Sequence, residues 1–131
     1  MKGFVINIEK VTLANTYFRE VLYTTKNSQL VVMTLEAGED IGGEVHKEHD
    51  QFIRVEEGEG VVILNGEQTS IKDGTAIVIP AGTLHNLVNT GSSKLKLYTL
   101  YCPPEHKDKV VHKTKADALL DEEHFDGVTS E

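Results

Sequence analysis

The alternation of apolar and polar positions along this chain predicts a protein built from short β-strands. Its clearest apolar run covers residues 76–79, which are mostly β-branched and are followed by Pro80 and Gly82. Because proline cannot donate to a strand ladder and glycine permits a tight reversal, the run predicts a buried strand that ends at this turn. Residues 84–88 begin a returning strand, so we expect residues 74–89 to form one hairpin.

Further strands are predicted on both sides of this segment at residues 28–37, 51–57, 61–64, 68–72 and 94–101. The second of these strands alternates, with Gln51, Ile53 and Val55 on one face. Asn65-Gly66 separates the third strand from the fourth, and this dipeptide is typical of a type I′ hairpin turn. Short strands with frequent turn residues are typical of a β-sandwich or barrel, and the lack of crossover helices excludes a parallel βαβ sheet.

The two ends of the chain carry different patterns. Residues 4–8 and 17–24 predict two strands that form an N-terminal β arm. Residues 114–125 predict a short C-terminal helix with Thr114 as its N-cap. We therefore expect one all-β domain in three parts, a β arm, a barrel core and a tail with the helix, at residues 1–27, 28–101 and 102–131.

Composition and charge narrow the classes of function. The chain has 131 residues and a formal charge of −8, with 21 acidic and 13 basic side chains. Because it has no basic stripe to neutralise phosphates, we expect no nucleic-acid partner. No apolar run approaches the roughly 20 residues that span a bilayer, and the N-terminus lacks the pattern of a signal peptide, so we expect no membrane partner and a cytoplasmic location. Cys102 is the single cysteine, which excludes an internal disulfide.

Two stretches carry spacings that resemble the two motifs of the cupin superfamily. The downstream stretch matches every defined position of the second cupin motif, at Gly74, Pro80, Gly82, His85 and Asn89. The upstream stretch matches the first motif in altered form, at Gly38, Glu44, His46, Gln51 and Gly58. Glu44 stands where the family has its first histidine, and Gln51 stands where it has its glutamate. The resemblance implies a double-stranded β-helix, the cupin or jelly-roll barrel, with a metal bound inside.

The resemblance implies a metal site formed by Glu44, His46, Gln51 and His85. Glu44 and His46 lie two apart on a strand, so their side chains leave the same face, while Gln51 begins the next strand. One carboxylate, one amide oxygen and two imidazoles suit one divalent Fe, Mn, Zn, Co or Ni ion. Glu44 is also the candidate catalytic residue. Gln51 has an alternative role, because a neutral amide is a weak ligand and can instead orient a ligand through a hydrogen bond.

The other four histidines receive no place in the site. His49 lies three residues after His46, so in a regular strand their side chains face opposite ways, and we expect His49 to face solvent near the mouth. His106, His112 and His124 lie in the charged tail without a motif around them. We assign these three no role.

The resemblance leaves three functions open, each with a small-molecule substrate or ligand in the barrel. Glu44, His46 and His85 resemble the two-histidine-one-carboxylate set of Fe(II) dioxygenases. Alternatively, the metal polarises a sugar carbonyl in an isomerase; the ligand types are similar to those of metal-dependent mannose-6-phosphate isomerases, although Glu and Gln occupy different positions here. The third function is non-enzymatic binding or sensing. The N-terminal arm either caps its own barrel or pairs with a second subunit, and we expect a homodimer.

Overall fold

The computed structural model describes residues 2–131, which form two antiparallel β-sheets with one short helix towards each end of the chain. The strands are β1 (Arg19–Thr24), β2 (Gln29–Leu35), β3 (Glu44–Val45), β4 (Asp50–Glu57), β5 (Glu59–Leu64), β6 (Glu67–Lys72), β7 (Ala76–Ile79), β8 (Leu84–Val88), β9 (Leu95–Cys102) and β10 (Val111–His112). The helices are α1 (Ile8–Ala14) and α2 (Lys115–Leu120). One sheet has the order β10-β1-β2-β9-β4-β7, and the other has the order β3-β8-β5-β6. The predicted all-β double-stranded β-helix is confirmed.

The core lies between the two sheets, and the long strands β2, β4 and β9 supply much of it. In their register Met33 lies opposite Leu97, Leu97 lies opposite Val55, and all three side chains are fully buried. Gln51 and Ile53 are buried on the same face of β4 as Val55, which confirms the predicted alternation of this strand. Because of this alternation, the polar side chain of Gln51 points into the barrel interior.

The turn between β5 and β6 has the predicted geometry. Asn65 has a φ of 49° and Gly66 a φ of 84°, and a type I′ turn requires positive φ at both central residues. The two strands pair directly across this turn, with Leu64 opposite Glu67. This hairpin is confirmed.

The predicted hairpin over residues 74–89 is wrong. β7 lies at an edge of the six-stranded sheet beside β4, whereas β8 lies between β3 and β5 in the other sheet. The Pro80–Gly82 turn carries the chain from one sheet to the other, and the backbone N–H of Gly82 donates to the carbonyl of His46 at 2.8 Å. Through this hydrogen bond the turn connects the second motif, which contains Gly82, to the first motif, which contains His46. The edge position also leaves one face of β7 in solvent, with Val78 67% exposed, so the prediction of a buried strand holds only for the face that carries Ile77 and Ile79.

The predicted strand at residues 4–8 is also wrong. The chain enters α1 here, because the Asn7 side chain accepts a hydrogen bond from a backbone N–H of the first helical turn at 3.0 Å. Such an N-cap gives a hydrogen-bond partner to a backbone N–H of the first turn that would otherwise lack one. It therefore favours a helix at this point, although the β-branched residues before it predicted a strand. The strand predicted within residues 17–24 is confirmed as β1. β1 also pairs with β10, a strand of the tail that the pattern did not predict.

The predicted C-terminal helix and its cap are confirmed by α2. The Thr114 hydroxyl accepts the backbone N–H of Asp117 at 3.1 Å, and the Asp117 carboxylate accepts the backbone N–H of Thr114 at 3.3 Å, which together form a capping box. The helix ends at Leu120, before Phe125, and none of its residues is buried. No helix within residues 2–131 has the length and apolar character needed to cross a membrane.

Candidate metal centre

Three ionisable side chains converge where β3 pairs with β8. Glu44 on β3 lies directly opposite His85 on β8 in the strand register, and His46 follows immediately after β3. One potential ligand atom from each side chain falls within 4.8 Å of the other two. The structure therefore brings together three of the four residues predicted for the metal site, which we call the triad.

Both histidines of the triad turn one ring nitrogen towards a group outside it. Nδ1 of His85 donates to the carbonyl of Thr83 at 2.9 Å, so Nε2 carries the free lone pair. Nδ1 of His46 lies 3.7 Å from the Glu105 carboxylate, and its Nε2 lies 2.9 Å from Oε2 of Glu44. That Nε2 is buried, and its contact with Glu44 does not have the geometry of a hydrogen bond. Ligand atoms that crowd together in this way fit a cation between them.

Electrostatic effects in the triad favour an ion pair between Glu44 and His46 when no metal is bound. Burial acts to raise the pKa of Glu44, but contact with His46 and the electrostatic effects of His46, Arg19 and His85 hold it below its ordinary value. Contact with Glu44 raises the pKa of His46 above its ordinary value, against the effect of burial. A metal must displace the proton from His46, so metal affinity decreases as the pH falls.

Gln51 places an amide oxygen in the barrel interior. The residue is 3% exposed, and its Nε2 donates to the hydroxyl of Thr99 at 3.0 Å. Its Oε1 is buried and has no hydrogen-bond partner among the described residues. An unpaired buried acceptor is costly, so this oxygen fits a role as a metal ligand or as the acceptor of a hydrogen bond from a bound molecule. No hydrogen bond joins Gln51 to the triad, and its role as a ligand stays a prediction.

An open depression next to the triad gives access from solvent. Its volume is about 290 Å³, and its lining consists of Val45, His46, Lys47, Glu48, His49 and Glu105. A second depression, of about 360 Å³, shares three of these residues and adds Pro103, Pro104, His124 and Phe125 from the tail. The tail therefore forms one wall of the approach to the triad. A larger cavity of about 520 Å³ is lined by residues of β5 and β6 together with Thr75 and Thr90, and none of the predicted ligands lines it.

His49 lies at this entrance, outside the triad. Its Nδ1 lies 2.7 Å from the carbonyl of Pro103, and its Nε2 lies 3.0 Å from the Glu105 carboxylate. Its ring lies edge-on to that of His46, with 5.8 Å between the centroids. Both of its nitrogens are thus occupied by other groups. His49 does lie near the mouth, as expected, but its side chain is only 20% exposed and faces Glu105 and Pro103 more than solvent.

Sequence reasoning missed several buried ionisable residues around the barrel, among them Arg19, His106 and His112. A signal existed for Arg19, because alternation along β1 places it on the same face as the buried Val21. No local signal existed for the two histidines, whose burial depends on how the tail packs. His106 lies 2.8 Å from Glu123, and His112 belongs to β10. His124 is exposed, in agreement with the absence of a motif around it.

Comparisons with known proteins identify the family of this chain. The cupin domain family matches residues 31–101. The uncharacterized protein YrkC of Bacillus subtilis is 47% identical over 128 residues, which cover 93% of this chain and 69% of YrkC. A crystal structure of BH2720 from Bacillus halodurans is 46% identical, covers 92% of this chain and 96% of its own, and superposes with a TM-score of 0.90. KdgF from Halomonas is 27% identical, with coverages of 65% and 78% and a TM-score of 0.61. This chain belongs to the cupin family.

Proposed function

We propose that this chain is a metal-dependent enzyme that binds one divalent transition metal and acts on a small molecule in the barrel. Glu44, His46 and His85 supply the primary ligands, and Gln51 supplies a fourth. The observation that carries the proposal is the convergence of one carboxylate and two imidazoles within 4.8 Å. The free Nε2 of His85 and the unpaired oxygen of Gln51 support it, since both are electron-pair donors without a protein partner.

The donor set favours oxygenase-type chemistry among the possible reactions. Two histidines and one carboxylate are the ligands of non-haem Fe(II) oxygenases, where the iron keeps open positions for substrate and dioxygen. The protein's own contribution is to orient the ligands: Thr83 holds the ring of His85, and Glu105 faces the second nitrogen of His46. Glu44 completes the set with a negative charge, and its low pKa keeps it ionised.

A sugar isomerase is the second candidate, and the entrance supports it. The pair formed by His49 and Glu105, 3.0 Å apart, is placed beside the triad and can carry a proton to or from a bound substrate. The similarity of the ligand types to mannose-6-phosphate isomerases stays a prediction. KdgF, by its name alone, does not decide between the two reactions.

Metal analysis of protein purified without an affinity tag tests the proposal. We expect one transition-metal ion per chain in the wild type and none in the His85→Ala variant, which lacks the ligand from β8. The matched control is His49→Ala, which removes a neighbouring histidine outside the triad and keeps the metal. Loss of metal in His49→Ala, together with retention of metal in Glu44→Ala, would show that His49 and not Glu44 is a ligand and would contradict the proposed site. A wild type without metal would contradict enzymatic function and favour a metal-free binding module.

We also propose that the chain forms a homodimer through the segment that precedes α1. Phe4, Val5 and Ile6 are three consecutive apolar residues that are 41%, 99% and 41% exposed. A run of exposed apolar side chains is unfavourable in water unless another surface covers it.

A further inference from the structure

Gln29 is a buried amide whose hydrogen bonds go mostly to the backbone of the tail. It begins β2 and is 1% exposed. Its Oε1 accepts the backbone N–H of Glu105 at 3.3 Å and that of His106 at 2.9 Å. Its Nε2 donates to the carbonyl of His106 at 2.7 Å and to the hydroxyl of Thr24 at 3.0 Å. Both lone pairs and both N–H groups of the amide are therefore used.

The segment that Gln29 contacts has no regular structure of its own. Residues 103–110 lie between β9 and β10 and form neither a strand nor a helix. Buried backbone groups need hydrogen-bond partners, and Gln29 supplies them for two successive residues, Glu105 and His106. The hydrogen bond from the backbone N–H of Phe125 to the carbonyl of Glu105 stays within the tail. Gln29 therefore fixes residues 105 and 106 relative to the barrel.

The carboxylate of Glu105 faces both histidines at the entrance. It lies 3.7 Å from Nδ1 of His46 and 3.0 Å from Nε2 of His49. The backbone N–H of the same residue is bound to Gln29, so a shift of this part of the backbone would carry the carboxylate away from both rings. The hydrogen bonds of Gln29 thus determine where Glu105 presents its charge.

The strand register places Gln29 in one row with the metal site. Gln29 lies opposite Tyr101 on β9, and Tyr101 lies opposite Gln51 on β4. Residues directly opposite each other share a face of the sheet, and all three side chains are buried. The ring of Tyr101 lies edge-on to that of His46, with 5.9 Å between the centroids. Gln29 therefore belongs to the interior that contains the triad.

We propose that Gln29 is a positioning residue of the metal centre, which holds the Glu105 carboxylate against His46 and His49. The consequence for metal binding rests on the proposed function, because His46 is one of the proposed ligands. A group that orients a metal-bound histidine contributes about 10- to 100-fold in affinity, and the residue that places this group controls the same factor. Gln29 precedes residues 31–101, which match the cupin domain, and Glu105 follows them, so this contact lies outside both motifs.

Two substitutions separate the hydrogen bonds of Gln29 from its volume. Gln29→Met has nearly the same shape and removes all four hydrogen bonds, whereas Gln29→Glu keeps an oxygen for the two backbone N–H groups. Asn15→Leu is the matched control, because the Asn15 amide is 8% exposed and makes three hydrogen bonds, to Tyr17 and Thr34. Neither partner lines the depressions at the triad. Urea denaturation gives the loss of stability in each variant.

Two measurements report the role of Gln29. Chelator competition gives the metal affinity, and the ring ¹⁵N signals of His46 and His49 in the metal-free protein, assigned with His46→Ala and His49→Ala, report the contacts of both rings with Glu105. We expect Gln29→Met to weaken metal binding about 10- to 100-fold and to shift both sets of ring signals. Gln29→Glu should stay close to the wild type, and Asn15→Leu should change neither readout. Gln29→Met combined with Glu105→Gln should bind metal no more weakly than Glu105→Gln alone, because both changes act through one carboxylate.

Unchanged ring signals in Gln29→Met, or equal changes in Gln29→Met and Asn15→Leu, would overturn the proposal. Losses of affinity that multiply in the double variant would overturn it as well, because Gln29 would then act apart from Glu105. If Gln29→Met fails to fold, hydrogen exchange of the wild type decides the matter. The backbone amides of Glu105 and His106 should be protected although they lie outside any strand, and fast exchange at both would overturn the proposal.

The same measurements separate this inference from the proposed function. A wild type without metal whose ring signals respond to Gln29→Met would support the positioning role and contradict the metal-dependent enzyme. A stoichiometric metal whose affinity is unchanged in Gln29→Met would support the metal site and overturn the role of Gln29.

Discussion

The orientation of His46 depends on a carboxylate that belongs to neither motif. Glu105 lies 3.7 Å from Nδ1 of His46 and 3.0 Å from Nε2 of His49, so it directs both rings at the entrance. Groups that orient a metal-bound histidine typically contribute about 10- to 100-fold in affinity, so we expect Glu105→Gln to weaken metal binding by this factor. Competition with a chromophoric chelator measures the metal affinity of the wild type and of the variant. Glu48→Gln, which changes another carboxylate of the same depression, is the control, and equal affinities of the two variants would contradict the prediction.

The residues that sequence alone could place are those whose neighbours are close in the chain. Glu44 and His46 lie two positions apart, and the resemblance of both stretches to the cupin motifs was what predicted that His85 meets them. Arg19 and Glu105 depend on contacts with distant segments. Arg19 meets His112, which lies 93 positions away, and no local pattern indicates that pairing.

At the level of the strands, Gly60 allows the close approach of β5 to β8, the strand that carries His85. A Cβ atom at this position would lie 2.2 Å from the carbonyl oxygen of Val88, a backbone atom that cannot move aside cheaply. We expect Gly60→Ala to lower the free energy of unfolding by about 1–3 kcal/mol or more, the range typical of overpacking. Gly43→Ala is the control, since a Cβ there meets nothing within 4 Å. Urea denaturation measures the free energy of unfolding of both variants. Equal midpoints would contradict the prediction and show that β5 and β8 move apart to accommodate the methyl group without loss of stability.

Local chemistry also explains which elements could be predicted. The β5–β6 hairpin needs only Asn65-Gly66, and α2 needs only the capping box at Thr114, so both were found. Whether β7 and β8 pair is decided by the sheets on either side, because the turn at Pro80 can either reverse a hairpin or cross between sheets. The hydrogen bond from Gly82 to His46, 36 positions upstream, marks the crossing, and it is invisible in the local pattern.

For the whole molecule, the packing of the tail makes stability depend on pH through His106. Burial lowers the pKa of His106 below its ordinary value of 6.5, and the hydrogen bond to Glu123 opposes this only in part. The unfolded chain therefore takes up a proton at a higher pH than the folded protein. The contribution of His106 to stability is complete above that ordinary value and is lost as the pH falls from it towards the folded pKa.

We therefore expect the free energy of unfolding to fall more between about pH 7.5 and about pH 5.5 in the wild type than in His106→Gln, with a slope of at most about 1.4 kcal/mol per pH unit. Urea denaturation at constant salt concentration measures the free energy of unfolding at each pH. His46 has a raised pKa and acts with the opposite sign, but it is present in both proteins and cancels in the comparison. The same loss of stability in both proteins would show that His106 does not titrate differently on folding.

The last prediction concerns the assembly of two chains. The exposed segment before α1 is held to its own barrel by Phe4, whose ring stacks on Tyr23 with 4.9 Å between the centroids, while Val5 is 99% exposed. If a second copy covers this segment, light scattering should give twice the chain mass of 14.5 kDa, and Val5→Asp should give the single mass. Val78→Asp is the control, because Val78 is a lone exposed valine on β7 and its replacement should leave the dimer intact. A wild type with the single mass would contradict the homodimer, and dissociation by Val78→Asp alone would move the interface to the edge of the six-stranded sheet.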